Sequence, residues 1–374
     1  MPTQKNQHYV PKFYQRLFSE DDVKIGVFLP KERKKIDSAS IKYQASEDYL
    51  YTQNTEKPDN TEAALGKIEG EAKQVIELLL QDPPIRLVPE QDYVLYVFVL
   101  LQIGRTLAQM DVLQKTANKM AQQMLMVDKQ LHDKNGDNKY EGITDDIINE
   151  VGLKFANLGA FSVFTHAQLI PSCIDLVHEY KVLVNHTKVS FTTSDNPACL
   201  YNMFLEKVNQ DNAGLGCRGI MFYLPLSPNR AVLFYDSKVY KCGVKRQKAV
   251  EIIDEHDVEE LNKLTAINSR ELFFYNPKKT NLAVLEKMAN QKERFEAKEQ
   301  IKDIPGIELT SGNMIIGLHR NSNKCNLHLS FIKYLPTYSL KTPKSFNSQT
   351  DLYREITYYK DKLEKEYFKG IKRE

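Results

Sequence analysis

Apolar residues change their spacing along this chain. Up to about residue 164 they recur at helical intervals, and from about residue 180 they alternate or run in short blocks. Residues 1–50 read as extended segments and turns around one short strand at 24–29, followed by the basic run at 31–35. A helix opens near Asp59, with Glu62 in the spacing of a capping box. Leu65, Ile68, Ala72, Val75, Ile76 and Leu79 then fall on one face until Pro83 and Pro84. A second helix opens with Pro89 in its first turn and continues to about Val127. It is apolar nearly all round over its first half and therefore predicts a buried central helix. Helix resumes over 145–164 and again before Tyr180.

Beyond residue 180 the pattern predicts a hairpin, with strands at 181–184 and 189–193. Two further strands follow within residues 218–235, broken at Pro225 and at the turn 227–230. A helix at 257–268 and a strand at 271–275 come next. From about residue 282 the chain is charged and reads as helical, with a polar linker at 339–350 and a closing helix at 352–368. Helices first and strands second predict an α+β fold, a helical bundle packed on a mainly antiparallel sheet. The division expected is an α+β core over 1–280 and a charged, mainly helical extension over 281–374.

Composition alters this picture little. Hydrophobic residues at 42% and charged residues at 27% are the balance of a globular protein, and with no tryptophan the core falls to aliphatic residues, Phe and Tyr. A net charge of +2 argues against a dedicated nucleic-acid coat but leaves room for a small basic pocket. Five cysteines without a CxxC spacing predict reduced thiols, with neither a disulfide framework nor a zinc ribbon. The polar opening MPTQKNQHYVPKFYQ has no leader-like apolar stretch, and the most apolar run, 93–101, is shorter than the roughly 20 residues a bilayer span needs. A cytoplasmic protein without a membrane partner is the expectation.

Four polar constellations stand out. His8 sits in QHYVPKFY (7–14), where flanking aromatics Tyr9 and Tyr14 can hold an imidazole in a rigid, partly apolar setting; the plainer reading is an arm docked through those aromatics. Glu69 falls on the apolar stripe of its helix, where a carboxylate needs a partner. Gln102 and Arg105, three apart, share a face of the apolar helix. Arg105 either clamps Glu69 or holds a ligand phosphate or carboxylate. TTSDNP (192–197) places Ser194, Asp195 and Asn196 before a proline, either as a turn cap or as a displayed catalytic carboxylate. The polar loop at 132–142 lacks the glycine and glutamate of a calcium loop. No phosphate-cradling glycine motif, HExxH or GxSxG occurs, which removes the common dehydrogenase, NTPase, zincin and α/β-hydrolase readings.

Taken in order, QHYVPKFY, SEDYLY (46–51), KIEGEA (67–72), LQIGR (101–105), TTSDNP, FYLPLSP (222–228) and LNKLTAINSRELFFY (261–275) resemble the bacterial domain-of-unknown-function family 4238, over roughly residues 7–275. The resemblance implies recurring polar positions at His8, Glu69, Gln102, Arg105, Asp195 and Asn196, and no activity. From the residues themselves the expectation is a hydrolase of the phosphodiesterase or nuclease type, serving as a toxin or phage-defence effector. His8 would be its acid/base, Arg105 its phosphate clamp, and Glu69 with Asp195 would orient them or hold a divalent metal. Tyr9, Tyr14, Gln102, Ser194 and Asn196 would line a site for a nucleic acid or nucleotide. The alternatives are a non-catalytic module that binds a ligand through the same pocket, or a protein through its C-terminal helices, and a purely structural buried network.

Overall fold

The computed structural model describes residues 5–52, 61–173, 179–207, 215, 217–297, 301–308, 314–320 and 323–335. The N-terminal part holds β1 (Asn6–His8), α1 (Lys12–Arg16), β2 (Lys24–Leu29), β3 (Lys34–Ser40) and β4 (Ser46–Asp48). The helical part follows: α2 (Thr61–Leu79), α3 (Pro89–Gly104), α4 (Leu107–Lys134), α5 (Asp145–Asn149) and α6 (Leu158–Cys173). Then come β5 (Glu179–Asn185), β6 (Thr193–Ser194), β7 (Cys199–Tyr201), α7 (Met203–Lys207), β8 (Met221–Ser227), β9 (Arg230–Tyr235), β10 (Tyr240–Cys242) and β11 (Ala249–Ile252). The chain continues through α8 (Glu255–Asn268), β12 (Phe273–Tyr275), α9 (Leu282–Phe295), β13 (Ile301–Glu308), β14 (Met314–Arg320) and β15 (Ile332–Tyr334). This is an α+β fold.

Its centre is a five-stranded sheet in the order β11-β5-β9-β8-β7, antiparallel except for the β11–β5 pair. The two-residue period of a strand sorts its side chains cleanly. Val182, Phe222, Leu224, Val232 and Phe234 join the core formed with α2 and α3, while Leu183, Met221, Tyr223, Ala231 and Leu233 join α8 in a second core. Both faces are covered, which is why β8 reads as an almost unbroken apolar run. A second, antiparallel sheet in the order β3-β2-β12-β6 packs Phe28, Phe273 and Tyr275 against α9.

The structure corrects several expectations. Segment 189–193 does not pair with β5. The Asn185 side chain donates to the Val189 carbonyl at 2.7 Å and turns the chain away, Asn262 accepts from the Thr192 backbone at 3.0 Å, and β6 joins the second sheet. Strand β8 runs through Pro225, with an irregularity only before Ser227. The long apolar helix is two helices, α3 and α4, bent by 58° at a break. Thr106 makes the break: its backbone is extended and its hydroxyl caps Gln109 at 3.4 Å. The stretch 145–164 is likewise two helices, with residues 151–157 non-helical between them. After α9 the described residues carry three strands where a mainly helical extension is expected. β15 pairs with β10, and Cys325, Leu327 and Leu329 lie in the core beside α8. The helix start at Asp59, the linker at 339–350 and the closing helix at 352–368 lie outside the described residues. None of the five cysteines is in a disulfide, and all but Cys217 are buried. Among the described residues no single helix is long and apolar enough to cross a membrane.

Candidate functional site

The site is built at the corner between α3 and α4. Arg105 is the residue that ends α3, and it is only 3% exposed. Its position depends on the residue before it. A Cβ at Gly104 would stand 2.4 Å from the His166 ring of α6, and the Ser162 hydroxyl donates to the Gly104 carbonyl at 2.6 Å. Only glycine lets α6 come this close, and this contact fixes the end of α3.

The guanidinium is held on three sides. Nη1 donates to Glu69 Oε1 at 2.6 Å, Nη2 donates to the His8 carbonyl at 2.6 Å, and Nε donates to the Tyr51 hydroxyl at 3.4 Å. Tyr51 is itself fixed. Its hydroxyl donates back to the Arg105 carbonyl at 3.0 Å, its N–H goes to Gln7 Oε1 at 2.7 Å, and its carbonyl accepts from Asn157 at 2.8 Å. Burial pulls the guanidinium pKa down, but Tyr51 and Glu69 outweigh it and hold the group charged. The helical spacing that places Glu69 on the apolar face of α2 thus leads it to Arg105. Its side chain keeps 25% exposure, so solvent reaches this ion pair mainly at the carboxylate.

His8 lies in β1, paired with Ser46 of β4, and is 6% exposed. Its Nε2 faces the Ile41 carbonyl at 3.3 Å. A carbonyl only accepts, so Nε2 carries the hydrogen and Nδ1 keeps its lone pair. Burial first, then the nearby charges of Lys12 and Arg105, push the imidazole down to about 4, so it is neutral at physiological pH. Gln102 completes the arm's anchorage by donating to the Tyr9 carbonyl at 2.8 Å; its own Oε1 is buried without a partner.

Asp195 does not join this group. Neighbouring side chains in an extended segment point to opposite sides. Accordingly His8 faces Lys12 and Arg105, while Tyr9 feels Asp195, Glu47, Arg270 and Glu271, and burial raises its phenol. Asp195 accepts backbone N–H bonds from Arg270, Glu271 and Leu272 at 2.8, 2.7 and 3.0 Å. It caps the turn between α8 and β12. Burial raises its carboxyl to about 6 against the pull of those three donors. Asn196 ties the two regions, accepting from the Thr106 hydroxyl at 3.0 Å and donating to the Asn268 carbonyl at 2.8 Å. Ser194 accepts from the Asn196 N–H at 3.2 Å. Tyr14 is fully buried between the sheets, bonded to Thr193 at 2.8 Å and to the Pro225 carbonyl at 2.5 Å, and lines no site.

The expected convergence of His8, Arg105 and Asp195 is therefore not made, nor is the pairing of Glu69 with Asp195 around a metal. Among the described residues no three His, Cys, Asp or Glu side chains are grouped as metal ligands would be. An open surface pocket lined by Lys129, Thr144 and Asp145 lies near the far end of α4, about 35 Å along its axis from Arg105, and has no part in this chemistry.

Three residues that the sequence reading does not place in the site belong to it: Lys12, Tyr51 and Glu62. Glu62 interacts electrostatically with Arg105, Glu69 and Lys12, and burial raises its carboxyl. The signal was present in the sequence: Glu62 and Glu69 are seven apart and so share a helix face. The capping-box reading of Glu62 concealed it.

No curated protein and no solved structure matches the chain. A family model does, over residues 6–279, which takes in β1 with His8, the helices bearing Glu62, Glu69 and Arg105, and the turn capped by Asp195. The chain belongs to the family described as protein of unknown function DUF4238.

Proposed function

We propose that the chain is a hydrolase of phosphodiester bonds, of the nuclease type, with His8 as general base and Lys12 as the group that meets the phosphate. One observation carries this reading: a buried imidazole held neutral, with its Nδ1 lone pair free of the Ile41 contact, beside a partly exposed lysine and an arginine that itself pairs with a carboxylate. Titratable groups whose environments displace them from their ordinary values are the usual mark of acid–base chemistry. Arg105 takes a different role from the phosphate clamp first expected, because its fork is already engaged by Glu69, His8 and Tyr51. It orients the arm and supplies positive potential from behind. Use as a toxic or phage-defence effector is the biological setting we attach to this chemistry.

A second reading, a module that binds a ligand or partner protein without turnover, is favoured by the low exposure of His8. The two separate on one experiment. Purified parent and His8→Ala are incubated with single-stranded and duplex RNA and DNA, with and without magnesium or manganese. The hydrolase reading expects cleavage by the parent, a loss of about 10²–10⁴-fold in the variant, and a melting temperature within a few degrees of the parent. Binding of the same oligonucleotides without cleavage under any of these conditions would favour the second reading.

A further inference from the structure

Glu62 and Glu69 stand two turns apart on one face of α2, about 10 Å along its axis, and Tyr51 and Arg105 interact with both. One arginine thus serves two carboxyls, and it gives its short bond to Glu69. Glu62 is left with Oε2 shut away from solvent and without a hydrogen-bond partner. A buried, unpartnered carboxylate oxygen is far more costly when it carries charge than when it is neutral. Lys12 does not lie within bonding distance to compensate. Resting on the hydrolase reading above, we propose that Glu62 is the general acid of this site: it holds a carboxylic proton and hands it to the oxygen that leaves phosphorus.

The step balances. Water oxygen bonds to phosphorus and gives one proton to His8 Nδ1; the bond from phosphorus to the leaving oxygen breaks, and that oxygen takes the proton of Glu62. Water has been added across one phosphodiester, and both groups are reset by proton exchange, Glu62 through the part of its side chain that stays accessible. The raised position of the Glu62 carboxyl, caused by burial and then opposed by Arg105, agrees with this assignment. A carboxylic acid suited to protonate an alkoxide must hold its proton near neutrality; the buried, unpartnered Oε2 favours the protonated form, and the short Arg105 bond to Glu69 leaves Glu62 without a paired cation.

The test reads the proton and its transfer separately. Infrared spectroscopy of the full chain at neutral pH should show the carbonyl stretch of a protonated carboxyl that disappears in Glu62→Gln. It should also disappear in Glu69→Gln, because Arg105 is then released to pair with Glu62. In turnover, Glu62→Gln should slow cleavage of an oligonucleotide, whose alkoxide needs a proton, by about 10²–10⁴-fold. It should leave cleavage of a p-nitrophenyl phosphodiester, whose leaving group does not need one, within a few-fold of the parent. Absence of the carboxyl band in the parent overturns the proposal, and so does equal slowing on both substrates. A parent that cleaves neither substrate overturns the hydrolase reading instead, and the infrared band still reports whether Glu62 keeps its proton.

Discussion

The corner at Arg105 and the turn at Asp195 both bury a charge, but they satisfy it in different ways. Asp195 is met by three backbone N–H groups from one short turn, donors that are fixed by the fold and carry no charge to be lost. Arg105 is met by one carboxylate, one carbonyl and one phenol from three separate segments. Around it stand a neutral imidazole, a second carboxyl with an unpartnered oxygen and a lysine. The first arrangement is complete in itself. The second has capacity left over. Completeness marks structure, and residual capacity marks the place where chemistry can be done.

The largest effect that would sharpen this contrast is at the arginine. Arg105→Ala leaves Glu69 and the His8 carbonyl without their partner, and a cost of roughly 3–5 kcal/mol is expected in chemical denaturation. A variant as stable as the parent would break the comparison, because the corner would then carry no structural load.

Acid titration comes next, and here the two regions oppose each other. The His8 imidazole is lowered from 6.5 to about 4, so the unfolded chain binds its proton first, and stability is lost as pH falls from 6.5 toward 4. The Asp195 carboxyl is raised from 3.8 to about 6. The stability its proton confers is present below 3.8 and lost as pH rises through 6. Each is worth on the order of 3 kcal/mol, so they nearly offset in the parent. His8→Asn should unmask a fall in stability with rising pH between 4 and 6, and Asp195→Asn a fall with descending pH. Unfolding curves with the same pH slope in both variants would contradict this.

At neutral pH, Asp195→Asn exchanges an all-acceptor group for one whose amide meets backbone donors, at an expected cost of about 1–3 kcal/mol. The smallest effect is expected at Glu62. Glu62→Gln should change stability by less than about 1 kcal/mol, in the stabilising direction, since it removes a carboxyl that has a buried oxygen without a partner and lies near Glu69. A large destabilisation would show that Glu62 holds the fold rather than a proton.

Much of the architecture was legible where a single segment decides its own state. Strand β2 at 24–29, the Pro89 start of α3 and the β8–β9 hairpin follow from local pattern and turn residues. The Glu69–Arg105 pair was one of the alternatives legible for the same reason, because helix periodicity assigns each residue to a buried face where a charge needs a partner. What was hidden depends on residues distant in the chain. The apolar pattern runs unbroken through Arg105 and Thr106, so nothing local announces the 58° bend that Thr106 caps. For Asp195 the sequence offers both a turn cap and a displayed acid, and the cap is what forms; its three donors lie 75–77 positions away, so no local pattern decides between the two. Segment 189–193 has a strand composition, yet Asn185 and Asn262 take the hydrogen bonds that decide its path.

The bend itself has a mechanical consequence. Arg105 and Thr106 stand at the near end of a long helix: α4 extends 28 residues beyond them, about 42 Å. A rotation of about 5° at that end displaces the far tip by nearly 4 Å by simple trigonometry on that length. The guanidinium, the Thr106 hydroxyl and the Asn196 amide that receives it sit at the fixed end of that length. Any rotation of α4 about this corner would therefore show its largest displacement beyond Lys129, at the helix's far end.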